Sequence, residues 1–535
     1  MHATTEPLSS AARMQAIERV RRPRWTPDLA LLQGLALPSS LLPRSRRRLV
    51  AALTGGASAS QQPLKLPRRD PLLALVQRST QGFELGEYQR AQALGYQAYL
   101  TEQLEPFALD DSGLDARLAS YTTLGMSPKQ LFDGFPDDIG TPIIELKGSL
   151  ILRAVYSRRQ LYERMCEFWR DHFHIDHNKG DVEWALLPEH ELTVIRPHAL
   201  GKFPDMLRAS AFSPAMQYYL DNWLNVRGAP QENYARELLE LHTLGVHGGY
   251  SEVDVKEVAK CFTGWTLNLD SGSPDFLRTV FVPALHTPGP KFVLGNVIPS
   301  SPASENARRV LDLLALHPST ARFIAKKLTA WLLAPAPSAE LVERVAATYL
   351  ATGGDIRAML RVILARENLA GVVPVLAPKF RRPFHLVTSI LRALGAHVSD
   401  PLYPLLLLYL MGHPPLDKVT PDGYPDTLAA WGRSLLPRWN SASLLVAGGS
   451  PIPGRGTLPG VRFPGERLFT LLELDRRPDP AGLAQKINAR LLGGALDGFE
   501  EASLQAFLDE RALLSDVDLY EAIALAVSLP GFQWF

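Results

Sequence analysis

A polar face on one short helix is the clearest sign of chemistry in the sequence. The run from Asn233 has helical apolar spacing, and a rotation of about 100° per residue places Asn233, Arg236, Glu237 and Glu240 side by side. We call these four residues the polar wedge. Carboxylates at i,i+3 can share a hard metal ion or divide acid and base roles. Because Arg236 lies four residues before Glu240, a plain ion-pair network is an equally good interpretation.

A group of histidines forms a second candidate. Helical geometry places His172 on one side with Trp169, whereas His174 falls on the opposite, polar side. We therefore expect His172 to be buried and His174 to be solvated, and His177 fits either environment. A buried imidazole is either a satisfied core histidine or a ligand. The same geometry predicts that His242 is a core histidine, opposite the carboxylates of the polar wedge.

A third candidate is a tight turn that carries His286 and Lys291 between Pro and Gly residues. Such a turn suits the rim of a pocket, with the imidazole as ligand or base and the lysine as an anion contact. The alternative is an ordinary turn with incidental polar residues. Trp265, in the sequence Phe-Thr-Gly-Trp, would either wall the same pocket or fill the core.

Together these residues suggest a metal-dependent enzyme, hydrolytic or oxidative, that acts on a small molecule or a polymer. A divalent zinc, manganese or iron ion suits two imidazoles and a carboxylate, and a metal-bound water would give hydrolysis. The predicted metal ligands are His172, Glu237 and His286. The predicted catalytic residues are Arg236, Glu237, Glu240 and Lys291, and the predicted substrate-binding residues are Asn233, Trp169 and Trp265. The alternative is a non-catalytic binding or assembly protein in which the polar wedge is a buried structural network.

The elements around these residues predict a mainly α, multi-helix globular fold. Helical spacing extends over 86–104, 144–173, 189–209, 231–245, 251–263, 304–334, 338–351, 355–366, 378–394, 481–495, 502–511 and 516–528. A β-hairpin is expected near 279–299, pairing Val280-Phe-Val with Phe292-Val-Leu. We divide the chain into a basic tail (1–69), a helical core with the motifs and the hairpin (70–300), and a C-terminal helical region (301–535) with a Pro/Gly-rich loop at 448–465.

Composition narrows the function classes. The chain has 535 residues, of which 46% are hydrophobic and 21% charged, so it can bury a large core. The net charge is +1, but residues 1–69 carry +9 and the rest −8. Because the folded body is acidic, nucleic acid is not an expected partner. Two cysteines exclude a Cys-rich metal site, and no apolar run of about 18 residues predicts a membrane span.

The location of the protein is open at this point. Ser45-Arg-Arg-Arg, followed by a short apolar run and small residues, is similar to a twin-arginine export signal. Its internal position argues against that interpretation, unless the true start lies downstream of Met1. A cytoplasmic protein is therefore slightly favoured over an exported one.

The motifs also carry a family resemblance that covers the chain from about Leu72 to Gln533. Phe168-Trp-x-x-His-Phe, the run Asn233 to Val246, Gly248-Gly-Tyr, Phe262-Thr-Gly-Trp and the turn 286–291 resemble the bacterial family catalogued as domain of unknown function 1800. That family often has His at Arg170 and Asp at Thr287, which weakens any site built on those two positions. The resemblance implies a mainly helical protein, often exported and often found beside a sulfatase/phosphatase-like partner. It implies no particular reaction.

Overall fold

The computed structural model describes residues 70–370, 378–433, 435–448, 460–463, 465–474, 480, 482–510 and 515–535. The fold is mainly α, as predicted, and its strands form small two-stranded antiparallel sheets. The first helices are α1 (Pro71–Ser79), α2 (Leu85–Leu94), α3 (Tyr96–Leu104), α4 (Ser112–Leu118), α5 (Pro128–Gly134), α6 (Gly140–Tyr156), α7 (Gln160–His172), α8 (Glu183–His190), α9 (Arg196–His198), α10 (Phe203–Ala211), α11 (Pro214–Tyr219), α12 (Asn233–Glu237) and α13 (Glu252–Phe262).

The remaining helices follow the strand-containing region. They are α14 (Glu305–Ala315), α15 (Pro318–Leu332), α16 (Ala339–Thr352), α17 (Ile356–Ile363), α18 (Arg366–Leu369), α19 (Pro383–Ala393), α20 (Leu402–Leu410), α21 (Leu428–Trp431), α22 (Leu435–Gly448), α23 (Gly465–Leu472), α24 (Leu483–Lys486), α25 (Gly498–Asp509), α26 (Asp516–Ser528) and α27 (Pro530–Gln533). Short 3₁₀ turns span Pro106–Ala108, Thr122–Gly125, Asn222–Leu224 and Pro283–Leu285. Wider π-helical turns span Glu191–Ile195, Leu238–His242 and Ile487–Leu491.

Several predicted helices are divided in two by one residue with special backbone geometry. Gly95 has a φ of 80°, so the predicted helix 86–104 is α2 followed by α3. Pro318 opens α15 and ends the predicted helix 304–334 after α14, since proline has no N–H to donate inside a helix. The predicted helix 144–173 is divided at Ser157, which is extended.

Strands form close to the two predicted segments, but both of them pair with other partners than predicted. Strand β1 (Trp265–Leu267) pairs with β2 (Thr279–Phe281), and β3 (Lys291–Val293) pairs with β4 (Asn296–Ile298). The hairpin within 279–299 is therefore the tight β3–β4 turn, and the predicted pairing of 280–282 with 292–294 is wrong. A short pair, β5 (His397–Val398) with β6 (Val461–Arg462), lies further along the chain.

Two hydrophobic cores organise the molecule. The first draws its side chains from residues 74–369 and from Leu416, and the second draws from 114–532. Helix α6 serves both, because Leu150 packs in the first core and Ile151 in the second. The predicted division at residue 300 does not coincide with the end of the first core. The basic tail lies outside the described residues, as does most of the Pro/Gly-rich loop.

Candidate functional site

His172 lies at the end of α7 and is buried, as predicted (2% exposed). Its Nε2 is 3.1 Å from the backbone oxygen of His242. Because a carbonyl oxygen only accepts, Nε2 must carry the proton and Nδ1 must be an acceptor. Lys327 fills that role, with Nζ at 2.9 Å from Nδ1. Burial, and then the charge of Lys327, hold the pKa of His172 well below its usual value, so the imidazole is neutral at physiological pH.

Lys327 is a partly buried amine on α15. Burial lowers its pKa from the usual 10.5 to about 8, although the charges of Asp171 and Asp422 oppose that shift. Its amine donates a hydrogen bond to a neutral imidazole, that of His172. A substantial fraction of the Lys327 amine is therefore unprotonated near pH 8, which is the state of a base or a nucleophile.

These two side chains line an open cleft of about 280 Å³, which we call the Lys327 cleft. Helices α7 and α15 form one wall, and the connection between α20 and α21 forms the other. Its polar lining residues are Asp171, His172, Lys327, Arg382, Asp422, Tyr424, Asp426 and Thr427. Its apolar lining residues are Phe168, Ala330, Trp331, Pro335 and Pro425. The cleft is therefore more polar than most small-molecule sites, which have an apolar lining with a few polar groups.

The connection from Met411 to Thr427 is fixed against the end of α7. The backbone N–H of His177 donates to the Leu416 oxygen at 3.0 Å, and Nε2 of His174 is 2.8 Å from the Lys418 oxygen. Gly423 has a φ of +73°, and a Cβ at this position would collide with the Asp171 carbonyl oxygen. This segment, which we call the cleft loop, is therefore a built wall of the site.

The prediction that His174 is solvated is wrong, because His174 is only 1% exposed. Helix α7 ends at His172, so the helical face assigned to His174 does not exist. Its ring instead packs 6.0 Å from Tyr424 on the cleft loop. His242 is a core residue, as predicted.

Most of the polar wedge is an ion-pair network at the surface. Arg236 donates to both carboxylate oxygens of Glu252 at 2.8 Å, and lies 3.6 Å from Glu232 and from Glu240. About a third of the Arg236 side chain is exposed, which fits the structural interpretation. Asn233 is 3.5 Å from Asp221. The helix is also not regular here, because α12 continues as a π-helical turn after Glu237.

Glu237 differs from its neighbours. Its pKa is raised, first by burial and then by the charges of Glu240 and Asp422. Asp422 lines the Lys327 cleft, and its own pKa is lowered by hydrogen bonds and by Lys418. Glu237 is therefore the residue of the polar wedge that is electrostatically coupled to the cleft, although it does not line the cleft itself.

His286 and Lys291 meet in a separate buried cluster. Lys291 Nζ donates to the Thr287 oxygen at 2.6 Å and to Asn306 Oδ1 at 2.7 Å, and it lies 2.9 Å from His286 Nε2. His286 Nδ1 is 2.8 Å from the Thr263 oxygen. The ammonium group of Lys291 therefore has three acceptors, and these hydrogen bonds stabilise the turn between His286 and Lys291.

The predicted tryptophans have different environments. Trp169 is fully buried and donates to the Ala199 oxygen at 3.0 Å, so it lies in the core and not on a substrate surface. Trp265 is half-buried and packs 4.5 Å from Phe212 and 5.2 Å from Phe281, measured between ring centroids.

The structure does not bring the predicted metal ligands together. Within the described ranges, one set of three potential ligand atoms lies within 4.8 Å of one another, and it consists of Asp176, His177 and Asp417. Lys147 Nζ lies 3.5 Å from the Asp417 carboxylate and 3.4 Å from His177 Nδ1. That ammonium group supplies positive charge where a cation would bind.

Sequence reasoning missed Lys327 and the cleft loop. A single lysine in an amphipathic helix carries no signal of its own. The cleft loop does have one, since Pro421-Asp-Gly-Tyr-Pro-Asp is a dense cluster of turn residues within a long connection, and such connections commonly carry function.

The comparisons with known proteins agree with the resemblance seen in the sequence. A family model described as a protein of unknown function, DUF1800, matches residues 74–534. No curated protein and no solved structure matches the chain. No helix in the described part of the chain is both long and apolar enough to cross a bilayer.

Proposed function

The chain belongs to the DUF1800 family, and we propose that it is an enzyme whose active site is the Lys327 cleft. The observation that carries this proposal is the amine of Lys327, placed on the wall of an open cleft and 2.9 Å from a neutral imidazole. The reaction class is one that starts with attack by an amine, or with proton removal by it. His172 positions the amine, and Asp171 and Asp422 influence its charge.

The direct test is the reactivity of Lys327 toward p-nitrophenyl acetate. We expect acetylation of Lys327, read by mass spectrometry of peptides, with a rate that rises to half its maximum near pH 8. The neighbouring Lys326 is exposed and is the internal control. The Lys327→Met variant should lose the fast release of p-nitrophenol, whereas Lys326→Met should retain it. Equal labelling of the two lysines at every pH would contradict the proposal.

Metal-dependent hydrolysis or oxidation remains a separate prediction, and Asp176, His177 and Asp417 are the set that supports it best. Elemental analysis of the purified protein tests it. A stoichiometric zinc, manganese or iron ion that is lost in Asp417→Asn would support it, and a metal retained in that variant would reject this ligand set. Lys147 makes the site a poor one for a cation, so we place the Lys327 cleft first.

The binding or assembly alternative draws its support from the polar wedge, because Arg236 pairs with Glu252 and Glu240 as a structural network would. A sulfatase-like partner stays a prediction from the family resemblance. Co-purification of the two proteins from cells that express both would support it.

A further inference from the structure

The charges around the Lys327 amine restrict which ligands the cleft can accept. Three carboxylates line it, those of Asp171, Asp422 and Asp426. The cations that line it in the described part of the chain are Lys327 and Arg382. The Arg382 guanidinium already donates to Asp171 and to Glu167, so it is not available to bind a ligand carboxylate. The three carboxylates are themselves paired, Asp171 with Arg382, Asp422 with Lys418 and Asp426 with Lys379. Apart from Lys327, an anionic ligand would therefore find no lining cation that is free to pair with it.

The hydrogen bonds of Lys327 leave its lone pair available. His172 Nδ1 accepts one N–H of the amine, and the imidazole cannot turn because its own N–H is held by the His242 oxygen. Phe168, Trp331 and Pro335 supply an apolar wall that keeps the amine partly desolvated. A neutral amine with one N–H fixed in this way is arranged to attack an electrophilic carbon.

We propose that the Lys327 amine forms an imine with the carbonyl carbon of a neutral aldehyde or ketone bound in the cleft. This inference rests on the proposed function. The nitrogen adds to the carbonyl carbon, and the carbonyl oxygen receives a proton that the nitrogen releases. The resulting hydroxyl group then leaves as water with a second proton from the nitrogen, and the C=N bond forms. We assign the relay of these protons to Asp422, an exposed carboxylate that lines the cleft.

The same lining residues also favour a ligand that carries no charge. A 2-oxo acid would bring its carboxylate into a cleft whose Arg382 is already paired with Asp171, and the Lys418 beside the cleft is already paired with Asp422. A polyhydroxy aldehyde or ketone instead offers hydroxyl groups that can donate to these carboxylates. We therefore expect selection by charge between carbonyl compounds of similar size.

The test traps the imine by reduction. The full-length protein is incubated with glyceraldehyde or with glyoxylate at equal concentration, together with sodium cyanoborohydride, and the adducts are mapped by peptide mass spectrometry. We expect glyceraldehyde to modify Lys327 roughly 10-fold faster than the exposed Lys326, because burial lowers the pKa of Lys327 to about 8. The ratio of Lys327 to Lys326 modification, which cancels the intrinsic reactivity of each aldehyde, should be smaller for glyoxylate than for glyceraldehyde. Asp422→Asn should narrow that difference, because it releases Lys418 from its ion pair. Thermal melting of Asp422→Asn shows whether the variant is folded.

The outcomes separate this inference from the proposed function. Lys327 that is acetylated selectively by p-nitrophenyl acetate but forms no reduced adduct would overturn the imine and leave the enzyme proposal in place. A ratio of Lys327 to Lys326 modification that is equal or larger with glyoxylate than with glyceraldehyde would overturn the preference for neutral carbonyl compounds. A Lys327 that reacts selectively with neither type of reagent would overturn both proposals.

Discussion

Lys327 is unusual in where its hydrogen bond goes. The buried Lys147 and Lys379 each lie beside a carboxylate, whereas Lys327 donates to an imidazole that is itself neutral. Burial disfavours the charged amine in the folded state and lowers its pKa to about 8, although the charges of Asp171 and Asp422 oppose that shift. The same environment that makes the amine reactive must then cost stability at neutral pH.

That cost predicts how stability changes with pH. Between pH 8 and the usual pKa of 10.5 the unfolded chain binds more protons at this lysine than the folded chain, so its contribution to stability rises with pH and is lowest below pH 8. Lys327→Met should therefore raise the free energy of unfolding by about 1–2 kcal/mol at pH 7, allowing for partial exposure, and by less at pH 10. Urea unfolding at the two pH values measures this. Lys326→Met, at an exposed position of the same helix, is the control for the loss of a lysine side chain.

Arg236 gives a contrasting prediction, since its partners lie at the surface. Arg236→Ala should cost less than about 1 kcal/mol in urea unfolding, and 1 M salt should reduce the loss further. A double-mutant cycle with Glu252→Ala isolates the pair. A loss of several kcal/mol, or of acetylation at Lys327, would show that Arg236 acts beyond its ion pairs.

For single side chains, the sequence predicts burial well and hydrogen-bond partners poorly. His172 and His242 are buried as helical spacing indicates, because apolar neighbours on a helix determine which face is inside. The partner of His172 could not be predicted, since Lys327 is 155 residues away along the chain. The predicted ligands His172 and His286 belong to two separate clusters for the same reason.

The cleft loop shows how one backbone conformation positions a site. Gly423 combines a positive φ with close packing against Asp171, whereas Gly412 has nearly the same φ (+72°) and open space around it. A side chain at Gly412 would therefore meet backbone strain alone, whereas a side chain at Gly423 would meet backbone strain and a steric clash.

Replacing each by alanine tests the fixed position of the cleft loop. Gly412→Ala should cost about 1 kcal/mol, the price of a left-handed conformation. Gly423→Ala should cost at least about 2 kcal/mol and should move the cleft loop off α7, which removes the selective acetylation of Lys327. Thermal unfolding and the acetylation assay measure the two effects. Equal losses in both variants would mean that the contact with Asp171 is not required.

The sequence predicts which segments are helices or strands. It does not predict which strands pair with each other or where a helix becomes irregular. Apolar periodicity identifies the helical segments, and α26 matches its predicted range from 516 to 528. The change of partner for β2 could not be foreseen, because β1 directly follows α13 and is too short to show an alternating pattern. The π-helical turn after α12 has no sequence signature either.

The two hydrophobic cores are connected beside the Lys327 cleft. Arg382, just before α19, pairs with Glu167 and Asp171 of α7, so an ion-pair cluster connects the second core to the first. Met411 packs in the second core and Leu416 in the first, so the cleft loop crosses between them. The site therefore depends on both cores being folded.

Removing the Arg382 charge should have a global effect. Arg382→Met leaves the Asp171 carboxylate without its cation and Glu167 with Arg164 alone, and the cost should be about 3–5 kcal/mol. If the cores then unfold separately, the urea transition should broaden or divide into two steps. Arg322→Met is the control, since its ion pair with Glu343 is exposed and should be worth less than about 1 kcal/mol. A sharp transition with an unchanged midpoint would show that Arg382 does not couple the cores.

The π-helical turn at Leu238–His242 has a consequence for how this protein can change over time. A π-helical turn holds one more residue than an α-helical turn, so loss of a single codon within it would restore a regular helix. The carbonyl group of His242 would then turn away from His172 by about 100°. The imidazole would lose the acceptor that fixes its proton, and Lys327 would lose its orientation. Among related sequences, a one-residue gap at this turn should therefore coincide with the absence of lysine at position 327.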